Sequence, residues 1–201
     1  MADRNTDGQT SHAARDHVEI LDPDPSWRAL FETEAAALQA AVAPTSGLRI
    51  EHIGSTAIPG VRAKPIIDVL LIHPEPALWP GLVDAIASLG YVFWSENPRK
   101  DRMFFVKGMP PFGSGRTHHV HVRTPADAVA ELAFRDHLRN TPTLAQEYQR
   151  LKEQLAQRYP NDREAYTHGK TEFVAKVLSQ VLPNSLMQPT GRKRPAVDQG
   201  R

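Results

Sequence analysis

Helical and strand periods alternate along the chain between residues 18 and 182, the pattern of a mixed α/β domain. Trp27, Leu30, Phe31, Leu38 and Val42 recur at helical spacing behind Ser26. A helix is therefore expected over about 26–42, with Ser26 as N-cap. Residues 48–53 read as a strand. Residues 66–72 are almost all apolar, as in a central strand covered on both faces. The spacing predicts a helix over about 77–89, stopped by Gly90. Residues 91–94, 103–106 and 118–122 read as three further strands. The chain then turns helical over 126–139. Thr141-Pro142 opens the next helix, with Leu144, Tyr148, Leu151 and Leu155 as its buried stripe. Asp162 is placed to cap a last helix carrying Tyr166, Phe173, Val177 and Leu178. The expected architecture is an N-terminal helix, a mixed sheet flanked by helices, and C-terminal helices packed on it.

Composition narrows this picture by exclusion. The 201 residues suit one domain, with Lys and Arg at 24 against 23 Asp and Glu. That balance gives no whole-molecule attraction to nucleic acid or anionic membrane. There is no cysteine, so disulfides, zinc-thiolate sites and cysteine nucleophiles are absent. No apolar run reaches membrane-spanning length, and the polar residues 1–17 contain no signal-peptide core. The expected compartment is cytoplasmic. Residues 1–17 and 183–201, the latter with Arg192-Lys193-Arg194, read as a disordered leader and a disordered basic tail.

The chemistry concentrates in residues 51–68. A strand ends at Gly54-Ser55-Thr56, where small residues let backbone N–H groups and hydroxyls converge on a phosphate. Lys64 adds a positive charge. Asp68 interrupts an apolar strand, and a carboxylate there needs a cation, a hydrogen-bond partner or a metal. His119 and His121 alternate along a strand and so share a face, whereas His118 points the other way. With Asp68 they form a candidate divalent-metal or acid–base centre, which His52 could join. Arg102 is a candidate phosphate grip, ranked above Arg116. Arg163 and Lys170 read first as structural, with a role in reaching the ligand as the alternative. The stripe containing Tyr148 reads as core.

Residues 51–69, with His52-Ile53-Gly54-Ser55-Thr56, Pro59-Gly60 and Ala63-Lys64-Pro65-Ile66-Ile67-Asp68, resemble the signature of the GrpB family. So do Asp24-Pro25-Ser26-Trp27, His119-Val120-His121-Val122, Phe134-Arg135-Asp136-His137 and Asp162-Arg163-Glu164-Ala165-Tyr166. The resemblance spans about residues 17–182. It implies a nucleotidyltransferase-like fold in which Gly54 and Ser55 lie on the nucleotide-phosphate turn and Asp68 is the first metal-holding carboxylate. It also implies a divalent cofactor, magnesium or manganese ahead of zinc. The sequence departs from that pattern at Leu70, where a second acid is usual, and at His119-Val120-His121, where a third is usual.

The expected function is nucleotidyl or phosphoryl transfer from a nucleoside triphosphate to a small acceptor. The alternatives are a non-catalytic nucleotide or coenzyme-binding module and a His/Asp metal hydrolase. The resemblance extends to fusions with an enzyme of coenzyme A synthesis, so a protein partner acting in trans is a further expectation.

Overall fold

The computed structural model of the chain describes residues 17–42, 46–97, 102–109 and 115–183. The readings of residues 1–16 and 184–201 as leader and tail lie outside the described residues. Helix α1 (Ser26–Ala41) precedes strand β1 (Arg49–Ile53), a 3₁₀ turn (Ser55–Ala57) and strand β2 (Ile67–Ile72). A second 3₁₀ segment (Pro76–Gly81) leads into α2 (Leu82–Ala87), followed by β3 (Tyr91–Phe93), β4 (Met103–Lys107) and β5 (His118–Arg123). Helices α3 (Val129–Asn140), α4 (Pro142–Arg158), α5 (Arg163–His168) and α6 (Thr171–Val181) complete the order.

The five-stranded sheet runs β1-β2-β5-β4-β3. Only β2 and β5 pair in parallel, so the sheet is mixed. Its two faces follow from the period-2 alternation of side chains. Val69 and Leu71 of β2, Phe105 of β4, and Val120 and Val122 of β5 bury one face against Trp27 and Leu38 of α1 and Leu82 and Ile86 of α2. On the other face Ile53, Leu70 and Ile72 pack against Ala128 and the α3 residue Leu132. Being covered on both sides explains why residues 67–72 are almost unbrokenly apolar. A further cluster joins Ile58 and Val61 after the first 3₁₀ turn to Leu138, Ala145, Tyr148 and Val177. The C-terminal helices are thereby fastened to the segment between β1 and β2.

Several local expectations change in three dimensions. Pro25, not Ser26, occupies the cap of α1, and Ser26 donates its backbone N–H to Asp24 Oδ1 at 2.7 Å. Leu30, expected on the buried face, is 45% exposed. The helix expected over 77–89 starts as 3₁₀ because Pro80 sits inside it, and only Leu82–Ala87 is α. Thr141 precedes Pro142 as expected, but its side chain makes no capping bond. The last helix is two. Asp162 caps α5 by accepting the Ala165 N–H at 2.9 Å, and α5 stops at Gly169. A Cβ at Gly169 would meet Leu155 Cδ2 at 2.4 Å, so any larger residue there has to push the Leu155 side chain aside.

Candidate functional site

Sheet register lays out the floor of a cleft of about 1650 Å³. Asp68 pairs with His119, His119 with Val106, and Val106 with Val92, placing these side chains in one row across the exposed face. The next row continues from Leu70 through His121 to Phe104. Trp94 extends it, donating its backbone N–H to Phe104 O at 2.9 Å. Leu70 is fully buried under Ala128. The position where a second acid would stand is therefore core, and the cleft begins beside it.

Asp68 is the hub of this floor. Its Oδ1 lies 2.8 Å from His119 Nδ1 and 3.5 Å from His121 Nε2. Burial pushes the carboxyl up, but the hydrogen bonds and charges of His119 and His121 outweigh it and hold Asp68 well below the usual carboxylate range. Burial lowers the His119 pKa, against the pull of Asp68. A neutral His119 donating Nδ1–H to an ionised Asp68 satisfies both directions. That tautomer leaves Nε2 as a lone-pair acceptor, and Nε2 is buried with no hydrogen-bond partner among the described residues. His118 lies on the opposite face, as strand alternation requires, near Glu34 and Lys107.

The Gly54 turn closes one end. Gly54 has φ 73° and ψ −171°, a region that only glycine occupies readily. A Cβ there would stand 2.3 Å from Asp68 Oδ2, so backbone and carboxylate are packed as closely as glycine permits. Ser55 and Tyr148 both line the cleft, and burial raises the Tyr148 pKa to about 12. Thr56 is committed elsewhere: its Oγ1 donates to Ile66 O at 3.2 Å and lies 3.1 Å from His52 Nε2.

Helices α5 and α6 face the turn with positive charge. Lys64 and Lys170 place their ammonium groups 4.7 and 4.6 Å from the centre of the buried Tyr166 ring. Burial, with Arg163 and Lys170 nearby, lowers Lys64 to about 7. Burial lowers Lys170 to about 8, with Asp68 pulling the other way. Arg116 and Arg163 also line the cleft. The acids among its lining residues are Asp68, Asp162 and Glu164, and Asp162 is spent on capping α5.

Not every candidate reaches this place. His52 lies across the sheet, buried and stacked 4.6 Å from Phe31 of α1, where it lines a separate cavity of about 650 Å³. Its position one residue from Ile53 turns it away from the row containing Asp68. Burial lowers its pKa to about 4. Arg102, half-buried just before β4, is not among the lining residues, whereas Arg116 is. Tyr148, read from its heptad-like spacing as core alone, is core and site wall together. Tyr166 stood in the sequence as a helix and motif residue without a role at the site, and Trp94 gave no signal beyond its aromaticity.

Asp68, His119 and His121 each offer one ligand atom, all within 4.8 Å of one another. Two imidazoles and a carboxylate fit a divalent transition ion, manganese better than magnesium. No helix among the described residues is long and apolar enough to cross a membrane.

A family model described as GrpB protein matches residues 17–180. A UPF0157 protein of Pseudomonas aeruginosa is 55% identical over 88% of this chain and 73% of its own length. A dephospho-CoA kinase of Mycolicibacterium paratuberculosis is 28% identical over 80% of this chain, a match spanning 45% of that protein. Among solved structures, the conserved protein GrpB from Enterococcus faecalis superposes with a TM-score of 0.71 at 35% identity, covering 81% of this chain and 96% of that one.

Proposed function

The chain belongs to the GrpB family, and on that premise we propose that its cleft binds the phosphate chain of a nucleoside triphosphate or a related nucleotide coenzyme. The observation that carries this reading is the close packing of the Gly54 turn on Asp68, opposite Lys64, Lys170, Arg116 and Arg163. An anion approaching the turn meets the Asp68 carboxylate first, so a cation must stand between them. Lys64 and Lys170 both feel Asp68 and can supply that charge. Ser55 and the small turn supply directional donors.

If transfer follows, the residues divide the work. The lysines and arginines neutralise the phosphate oxygens and fix their direction. Asp68 holds His119 through Nδ1, and the neutral Nε2 accepts a proton from the attacking hydroxyl of a small acceptor. With a divalent ion held by Asp68, His119 and His121 instead, His119 would be a ligand rather than the base, and the ion would supply Lewis-acid stabilisation of charge developing on the phosphoryl oxygens.

Leu70 favours a second reading. With core in place of the second acid, the cleft keeps its anion-binding wall without a carboxylate pair for two metals. A module that binds a nucleotide or coenzyme without turnover fits that arrangement, and the partial match to a dephospho-CoA kinase supports trying coenzyme A precursors.

Thermal unfolding tests the common core of both readings. At ~100 times its dissociation constant a ligand adds about 2.7 kcal/mol, several degrees for a chain this size. Stabilisation by nucleoside triphosphates is expected with or without Mn²⁺, larger with it if the metal bridges. A flat response to triphosphates, coenzyme A precursors and inorganic tripolyphosphate, with and without Mn²⁺, would remove the phosphate site. A shift from Mn²⁺ or Zn²⁺ alone would leave only the His/Asp metal centre of a hydrolase.

A further inference from the structure

The cleft has two chemically different sides, and the phosphate reading uses only one. Away from the lysines its wall is aromatic. Trp94 meets Phe104 edge-on, with ring centroids 5.9 Å apart and planes at 69°. Phe104 in turn lies 5.0 Å from His119 and 4.9 Å from His121. Trp94 is 48% exposed and Val92, two residues earlier on the same side of the strand, is 41% exposed. Both line the cleft, with Met109 beside them. The other tryptophans, Trp27 and Trp79, are 6% and 8% exposed and belong to the core.

An indole left open at a site wall, held edge-on by a phenylalanine fixed to the strand beside it, keeps a broad π-face available for stacking. Register places Trp94 two strand spacings from His121, roughly 10 Å across the sheet. A ribose can bridge an aromatic ring on Trp94 to a phosphate beside the histidines. Neither inorganic polyphosphate nor a sugar phosphate would use this wall. A ligand carrying a planar ring at one end and a polyanion at the other uses both sides.

We propose that Trp94, supported by Phe104 and flanked by Val92, is the stacking platform for the purine or pyrimidine base of the ligand, which is therefore a nucleotide. This rests on the phosphate reading above and adds the residues that hold the base. Base recognition is by ring face, so it tolerates different bases.

Tryptophan fluorescence and calorimetric titration together test it, with the ribonucleoside triphosphates and inorganic tripolyphosphate as probes. Nucleoside triphosphates should quench the exposed Trp94 emission, and tripolyphosphate should bind without quenching it. Trp94→Ala, a surface change that spares the core, should weaken nucleoside triphosphates about tenfold or more and leave tripolyphosphate unchanged. Trp94→Phe should recover most of the loss. If Trp94→Ala binds nucleoside triphosphates as the native protein does, the platform is overturned while the phosphate site stands. If neither probe binds the native protein, the phosphate reading fails and this inference with it.

Discussion

At the scale of single residues, the site is held by contacts that tolerate little change. Gly54 combines a glycine-only backbone with contact against Asp68. Gly54→Ala should cost about 2 kcal/mol or more in chemical denaturation and displace Asp68 from the histidines. A variant as stable as the native protein, with unchanged ligand binding, would mean the turn is softer than its geometry implies. Tyr148→Phe removes a buried hydroxyl from the cleft wall while keeping the ring. It should cost about 1 kcal/mol and weaken phosphate binding, with no loss of helical signal. Sequence alone marked Gly54, Ser55 and Asp68, because a glycine turn and an acid in an apolar strand violate local preference. It could not separate His52 from His119. The two sit on different strands, and only the pairing of β1 with β2 and of β2 with β5 puts His119 beside Asp68 while turning His52 to the far face.

At the scale of elements, α5 is the piece that completes the cleft. It has six residues and is set by one cap, Asp162 to Ala165 N–H. Tyr166 and Arg163 ride on it, and Lys170 begins the next helix one turn on. Asp162→Ala should cost about 1 kcal/mol and, through the lysine pair that brackets Tyr166, weaken the ligand more than a remote cap loss would. Ligand titration beside thermal unfolding checks the pairing of these effects. Helix α3 is fixed differently. Arg135, itself nearly buried, reaches Glu51 at 2.9 Å, the half-exposed Asp136 at 2.7 Å and the carbonyl of His52 at 2.9 Å. Removing it leaves Glu51 with Arg49 alone and takes the donor from the His52 carbonyl, so Arg135→Ala should cost about 2 kcal/mol in denaturant unfolding. The strands and the cap at Asp162 were legible because period and punctuation are local signals, whereas Ser26 and Thr141 mark helix starts without capping them. The break at Gly169 was not, since Tyr166, Phe173 and Val177 continue at helical spacing across it. The 3₁₀ segment around Pro80 carried its warning in the proline itself.

At the scale of the whole molecule, near-neutral net charge conceals a polarised interior. Formal charge is +1, yet one cleft gathers Lys64, Lys170, Arg116 and Arg163 beside Asp68, Asp162 and Glu164, with Asp68 held by the histidines and Asp162 by its cap. Composition could not reveal that, because the concentration arises from folding α5 and α6 over the sheet. It has a pH signature whose sign differs between free and bound protein. Lys64 near 7 and Lys170 near 8 in the fold lie below their ordinary 10.5, so the unfolded chain binds more protons between those values. Their contribution to the stability of the free protein therefore rises as pH increases from about 7 towards 10. A bound polyanion favours the protonated lysines, so affinity should fall by roughly tenfold or more between pH 7 and 9, with net proton uptake on binding at pH 8. Calorimetry in buffers of different ionisation enthalpy reads that uptake directly. Affinity that is flat with pH would place the phosphates away from these lysines.

The measurement closest to the central claim is titration of ATP into the native protein and into Lys64→Gln/Lys170→Gln, each first shown to be folded by circular dichroism. Binding to the native protein should be saturable, and reduced at least about a hundredfold in the double variant. Equal affinity in both proteins, or no binding of ATP or of any other nucleotide to the native one, would contradict that claim.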